Sequence, residues 1–283
     1  MMEIKKVGIA GAGAMGLGIA QVFAQAKFEV VLFDVNSIQL EKAKSEIEKN
    51  LAFAFSKNKI SEADKNATLP RISFSTDVNS LKSDLVIEAI IEKLEVKREL
   101  FQKLAEINSA DTILTTNTSS IPVTRIAKGI PNPSRIAGMH FFNPAHLMKL
   151  VEIISGAETS KEVAEVIKQL SITIGKTPIM CNDSPGFIVN RVARHYYVES
   201  LKMLEEKNAP IETIDALMES TGFKMGPFKL MDHVGNDINF AVTSSLFESF
   251  HHDAKFRPSR VQQQKIDAGH LGKKTGKGFY NYS

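Results

Sequence analysis

His140 and Glu152 stand at equal distances on either side of His146, each in a short apolar run: Gly138-Met139-His140-Phe141-Phe142 and Lys149-Leu150-Val151-Glu152-Ile153. If the segment between them folds back symmetrically, the two side chains face each other across paired strands. A carboxylate there accepts one ring N–H of the imidazole, fixes its tautomer and turns the other nitrogen toward a reactant. That is an arrangement for proton transfer. A histidine at a strand end is also an ordinary structural hydrogen-bonder, so its neighbours must decide between the two readings. Asn143 follows the histidine's own run, and Asn117, Ser119 and Ser120 follow another, Thr112 to Thr116. Ser119 has a plainer reading as a helix cap before Ile121-Pro122.

A second group of residues points to a phosphate-bearing cofactor. Gly11-Ala12-Gly13-Ala14-Met15-Gly16 follows the apolar run Val7 to Ala10 and opens a helical segment reaching Ala26; a further apolar run, Glu29 to Phe33, ends in Asp34. Strand, glycine turn, helix, strand and acid come in the order a dinucleotide site requires. Gly11 permits the tight turn, Gly13 lets the backbone approach a pyrophosphate, and Gly16 lets the helix lie close to the strand. Ala14 and Met15 begin the helix whose free N–H groups face the phosphates. Asp34 suits a ribose diol and repels a 2′-phosphate, and no Arg or Lys follows closely, so the pattern predicts NAD rather than NADP.

These residues need a scaffold, and the spacing supplies one. Strands are predicted at Ile72–Ser75, Leu85–Glu88, Thr112–Thr116, Arg135–His140 and Leu150–Ile154. Helices are predicted over Ser37 to Phe55, from Ser61, over Leu94–Ile107, Pro122–Lys128 and Glu162–Ile172. Such alternation makes a Rossmann-type, doubly wound, mostly parallel α/β sheet. Glu88 and Glu92 then follow the fourth strand, and the polar residues gather at one sheet edge, where ligands bind in open sheets. After Asp183-Ser184-Pro185-Gly186 only helical periodicity remains, with helices predicted to Glu206, from Pro210 to Gly222, and over Asp237–Phe250. In the first of these, Val189, Val192, Ala193, Tyr196 and Tyr197 form the expected buried stripe. The predicted organisation is a nucleotide domain over 1–184 and a smaller all-α domain over 185–283.

Bulk properties narrow the classes. The chain has 283 residues and a formal net charge of +3, too small to argue for nucleic acid or an anionic membrane surface. No stretch approaches a membrane span, and the uncharged run after Lys5-Lys6 reads as the first βα unit rather than a signal peptide. The single cysteine, Cys181, excludes an internal disulfide, fits a reducing, cytoplasmic setting and reads as a small buried hydrophobe. His251-His252 lacks a second pair at ligand spacing, so no metal is expected.

Four segments together resemble the L-3-hydroxyacyl-CoA dehydrogenase family over nearly the whole chain. They are the glycine turn, Asn117-Thr118-Ser119-Ser120, Met139-His140-Phe141-Phe142-Asn143-Pro144-Ala145 continuing into Met148-Lys149-Leu150-Val151-Glu152, and Asp183 to Arg191. The resemblance implies NAD-dependent interconversion of (S)-3-hydroxyacyl-CoA, 3-hydroxybutyryl-CoA above all, and 3-ketoacyl-CoA. It makes His140 the catalytic histidine, Glu152 its partner, and Ser119 and Asn190 the holders of the substrate oxygen. It also implies cofactor contacts from Glu92, Lys97, Asn117, Ser119, Asn143 and Lys274, coenzyme A contacts from Lys57 and Asn50, and a homodimer through the helical domain. Asn50 replaces a frequent serine, His146 a common proline, and Arg194-His195-Tyr196-Tyr197 a more usual aliphatic run, which puts acyl preference in question. A gulonate-type dehydrogenase on the same scaffold and an NAD-binding protein without turnover are the alternatives.

Overall fold

The computed structural model describes residues 4–282. The first three residues of the 1–184 segment and the last of the 185–283 segment lie outside that range. The chain divides into two compact units, with the boundary between Ser184 and Pro185.

In the first unit the elements run β1 (Lys6–Ala10), α1 (Ala14–Gln25), β2 (Glu29–Phe33), α2 (Ser37–Ser56), α3 (Glu62–Thr68), β3 (Ile72–Ser75), β4 (Leu85–Glu88), α4 (Leu94–Ile107) and β5 (Ile113–Thr116). They continue with α5 (Val123–Ala127), β6 (Ile136–Phe141), β7 (Leu150–Ser155), α6 (Lys161–Thr173) and β8 (Thr177–Asn182). Among the described residues eight strands form one sheet in the order β3-β2-β1-β4-β5-β6-β7-β8. Val7, Ile9, Leu32, Leu85, Ile87, Met139 and Val151 are buried in its core, as expected where helices cover both faces of a parallel sheet. This is the Rossmann-type arrangement. Strand order reverses between β1 and β4, which puts a ligand crevice at their carboxyl ends.

Two details of this unit differ from expectation. β6 runs one residue beyond His140, so the histidine lies inside the strand. β8 extends the sheet where only a connection is predicted. It pairs parallel to β7 and is largely accessible, its only apolar residues being the short run Pro178 to Cys181.

The second unit is helical: α7 (Val189–Glu205), α8 (Ile211–Ser220), α9 (Pro227–Val234), α10 (Asn236–Ser249) and α11 (Arg260–Asp267). α9 and α11 have no counterpart among the predicted helices. The expected stripe on α7 is also rotated. Val192 is 67% exposed, whereas Arg194, Tyr197, Val198, Ser200 and Leu201 are buried. Arg194 turns inward because Nη1 donates to the Asn239 carbonyl and to Thr243 Oγ1, both at 3.0 Å, and the guanidinium lies 5.0 Å from the Tyr197 ring centre. Hydrogen bonds thus override the hydropathy pattern. Two buried acids tie down the C-terminal turn. Asp232 accepts from the amides of Phe279 and Tyr280, each at 2.9 Å, and Asp215 accepts from Tyr280 Oη at 2.8 Å and the Phe228 amide at 2.9 Å.

Candidate active site

The glycine turn has one open face and two closed ones. Gly11 adopts φ +101°, and a side chain on it would meet the Ala89 carbonyl oxygen at 2.5 Å; one on Gly16 would collide with the Gly11 carbonyl. A Cβ on Gly13 would meet nothing within 4 Å. The backbone is therefore packed behind the turn and bare in front of it. Asp34 is held facing this space: Oδ2 accepts from the Ala12 amide at 2.8 Å and Oδ1 from the Asn36 amide at 2.9 Å. A cavity of about 670 Å³ opens against Gly11, Gly13 and Asp34, with Val78, Ile90 and Leu100 among its apolar walls. A bare turn, an oriented carboxylate and an apolar slot fit the adenosine half of a dinucleotide. Replacing Asp34 with alanine and adding an arginine close by is expected to move preference from NAD toward NADP; an unchanged ratio of kcat/KM values would separate Asp34 from the ribose.

Across the switch point, β4 and β5 carry an ionic cluster that spacing alone does not reveal. Glu88 is completely buried at the end of β4, and Lys97 is 1% exposed. Lys97 Nζ lies 2.6 Å from Glu88 Oε1 and 3.2 Å from Glu92 Oε2. Glu88 Oε2 also accepts from Thr116 Oγ1 at 2.7 Å, since Glu88 and Thr116 are register partners. Glu92 Oε1 accepts from Thr118 Oγ1 at 2.6 Å, from the Ser119 amide at 3.0 Å and from Ser120 Oγ at 3.0 Å. Burial pushes the Glu92 carboxyl up, but Lys97 and the Thr118 and Ser120 hydroxyls outweigh it and hold it below the ordinary glutamate range. Lys97 thus lies beneath the loop of Ser119, and Glu92 joins them.

β6 and β7 form the sheet's one antiparallel pairing among the described residues, and their register places His140 directly opposite Glu152. His140 is 5% exposed and Glu152 1% exposed, and Nδ1 lies 2.8 Å from Glu152 Oε2. Asn117 Oδ1 accepts from the Phe141 amide at 2.8 Å, tying the loop after β5 to the residue next to the histidine. Asn143 is exposed in the corner between the strands. Lys176 Nζ staples that corner by donating to the carbonyls of Ala145 at 2.6 Å and Met148 at 2.7 Å. The glycine turn, Glu92, Asn117, Ser119 and the His140–Glu152 pair all belong to the carboxyl ends of β1, β4, β5 and β6 and to the strand paired with β6.

Two family models divide the chain between them. Residues 6–184 match the 3-hydroxyacyl-CoA dehydrogenase, NAD binding domain, and residues 186–282 match the 3-hydroxyacyl-CoA dehydrogenase, C-terminal domain. The chain belongs to the 3-hydroxyacyl-CoA dehydrogenase family. It is 47% identical over 284 residues to the 3-hydroxyadipyl-CoA dehydrogenase of Escherichia coli K12, covering 100% of this chain and 60% of that relative. The chain thus spans less than two thirds of that relative's length. It is 42% identical to a probable 3-hydroxybutyryl-CoA dehydrogenase of Deinococcus radiodurans, covering 98% of this chain and 100% of the other. The crystal structure of (S)-3-hydroxybutyryl-CoA dehydrogenase from Ralstonia eutropha superposes with a TM-score of 0.95 at 39% identity, covering 99% of this chain and 100% of that one. The first unit is accordingly the family's NAD-binding domain.

The remaining residues named by family resemblance are placed as follows. Asn50 on α2 donates to Gln21 Oε1 at 3.3 Å, and Lys57 caps the same helix with Nζ 5.6 Å from the Phe53 ring centre. Asn190 is the second residue of α7, and Lys274 pairs with Asp237 at 2.7 Å; both belong to the second unit. Of the Arg194–Tyr197 run, Arg194 is committed to α10 and Tyr196 Oη donates to the Met225 carbonyl at 2.9 Å. Cys181 is half-buried on β8; burial first, then the carboxylates of Glu152 and Asp183, push its thiol up to about 12. A thiol so held is a poor nucleophile. Among the described residues no group of three His, Cys, Asp or Glu side chains is placed to hold a metal ion, and no helix is long and apolar enough to cross a membrane. Sequence reasoning places Glu88 at the ligand edge but misses its pairing with Lys97 and the part played by Thr116. The available signal was an acid ending a buried strand, nine residues before a lysine on the next helix.

Proposed function

We propose that the protein interconverts (S)-3-hydroxyacyl-CoA and 3-ketoacyl-CoA thioesters with NAD. The observation that carries this reading is the 2.8 Å contact between His140 Nδ1 and Glu152 Oε2, at the sheet edge that also holds the dinucleotide turn. With Nδ1–H donated to the carboxylate, Nε2 is the proton-accepting atom. His140 takes the proton of the substrate's 3-hydroxyl there, and Glu152 stabilises the imidazolium that forms. Bound NAD supplies the redox chemistry by accepting hydride from the substrate's C3. Ser119, on the loop braced by Glu92, is assigned to the substrate's 3-oxygen, and Lys57 and Asn50 to coenzyme A. The relatives' names differ in acyl group, a four-carbon acid in one and a six-carbon diacid in another. What they share is the 3-hydroxyacyl thioester, and we assign a short chain. The helical unit is assigned to homodimerisation and the protein to the cytoplasm.

The deciding assay is loss of NADH absorbance with acetoacetyl-CoA. Rapid loss with the thioester and none with free acetoacetate is expected; the reverse result favours a free-acid dehydrogenase, and no loss with either sinks the reading. Oxidation of 3-hydroxybutyryl-CoA requires His140 neutral, and reduction of acetoacetyl-CoA requires it protonated. The oxidation rate should therefore rise with pH while the reduction rate falls. Parallel profiles would remove His140 from the proton transfer.

A further inference from the structure

We propose that His146 positions the corner between β6 and β7 only while its imidazole is neutral, so that protonation of this ring opens the corner and slows the enzyme in acid. The proposal goes beyond the assigned reaction and rests on that assignment only for its activity readout.

The corner is gripped twice. Lys176 Nζ donates to the carbonyls of Ala145 and Met148, which bracket His146. α1 lies hard against the same segment: a Cβ on Gly18 would meet Ala145 Cβ at 3.1 Å and the His146 amide nitrogen at 3.6 Å. The His146 ring borders a cavity of about 370 Å³, with Gln25, Lys149, Thr173 and Lys176 on its wall. Its Nδ1 is closed to water and has no hydrogen-bond partner among the described residues. A neutral ring accommodates this by keeping its proton on Nε2. A charged ring carries hydrogen on both nitrogens, and the buried one then lacks an acceptor.

The surrounding charges also oppose the proton. Lys149 of the corner and Lys176 before β8 border the cavity, while α1 and α6 bring it only uncharged side chains, Gln25 and Thr173 among them. Glu46 on α2 acts the other way, but it is half exposed and shared with Lys49 at 3.5 Å. Burial first, and Lys176 next, hold the imidazole below the ordinary histidine range. A ring protonated here must find an acceptor and move away from Lys176. α1 blocks movement inward, so the corner swings outward, where Pro144, Leu147 and Met148 are already exposed. That movement carries Asn143 with it and loosens Phe142, whose ring centre lies 4.7 Å from that of His140. The His140–Glu152 pairing belongs to the strand ladder and stays.

The test compares His146→Gln and His146→Leu with the unaltered chain between pH 8 and pH 5. A group that is harder to protonate when folded contributes stability above its unfolded value, about pH 6.5 for histidine, and that stability is lost as the pH falls through the folded value. The unaltered protein's Tm should therefore fall further than either variant's. The excess is about 3–5 °C for each tenfold by which folding lowers the ring's proton affinity. Reduction of acetoacetyl-CoA, which a protonated His140 favours, should pass through a maximum in the unaltered protein and fall again in acid. Relative to the variants, its rate drops about twofold at the His146 midpoint and about tenfold one pH unit below it. Variants that are slower at every pH, with the acid limb and the Tm slope unmoved, show a merely structural role and overturn the proposal. If neither variant folds, an NMR titration of the unaltered protein decides. The Ala145 methyl and the His146 ring must then shift with one midpoint, and separate midpoints overturn the proposal. The melts need no substrate, so failure to reduce acetoacetyl-CoA removes the assigned reaction and leaves the Tm comparison to decide on His146.

Discussion

His140→Gln is expected to lower turnover by about 10²–10⁴-fold while leaving NADH affinity nearly unchanged. Glutamine is the informative replacement because its amide can still donate to Glu152. Glu152 is almost fully buried, and removing its partner outright would strand a carboxylate and confuse catalysis with stability. Glutamine keeps the hydrogen bond and loses the proton-accepting nitrogen. Single-turnover rates with acetoacetyl-CoA, set beside NADH titration and a thermal melt, separate the two effects. Retained turnover would exclude His140 as the base.

Alanine at Gly13 and alanine at Gly16 are expected to fail in opposite ways. A methyl on Gly13 enters open space. The fold should keep its Tm, but the methyl occupies the approach to the pyrophosphate, so NAD affinity should fall on the order of tenfold or more, equivalent to at least about 1.4 kcal/mol. A methyl on Gly16 is driven into the Gly11 carbonyl, a backbone atom that cannot swing aside. That variant should lose about 3 kcal/mol of stability, with cofactor binding lost as the turn is displaced. Denaturant unfolding and NADH titration on the same samples read both. Equal effects at the two positions would mean that the turn does not face the phosphates.

The contrast between readable and unreadable parts of this chain has a physical origin. β1, β2 and β4 are buried on both faces, so each appears as an unbroken apolar run bounded by turns. β8 lies at the sheet edge, is nowhere fully buried, and its short apolar run opens with Pro178, a residue that argues against a strand interior. α11 is short, and its fully buried residue is Gln262, whose amide donates to Asn239 Oδ1 at 3.1 Å. Hydropathy cannot find a helix that buries a glutamine. The buried face of α7 departs from its apolar stripe for the same reason, with Arg194 and Ser200 inside and Val192 outside. At the site, the symmetry about His146 made the His140–Glu152 register legible because only one short link joins the two strands. The bond from Glu88 to Thr116 depends on parallel register across a whole intervening helix, which no local pattern records.

The antiparallel turn between β6 and β7 makes the acid–imidazole couple unusually intolerant of altered loop length. Side chains alternate between the two surfaces of a strand, so deleting or inserting one residue in the connection would send the glutamate to the far surface if the hairpin kept its pairing. Substitution within this corner leaves the parity intact, as the histidine at position 146 illustrates. Changes in the connection's composition therefore spare the pairing, whereas odd-numbered changes in its length would disconnect the proton acceptor from its counter-ion.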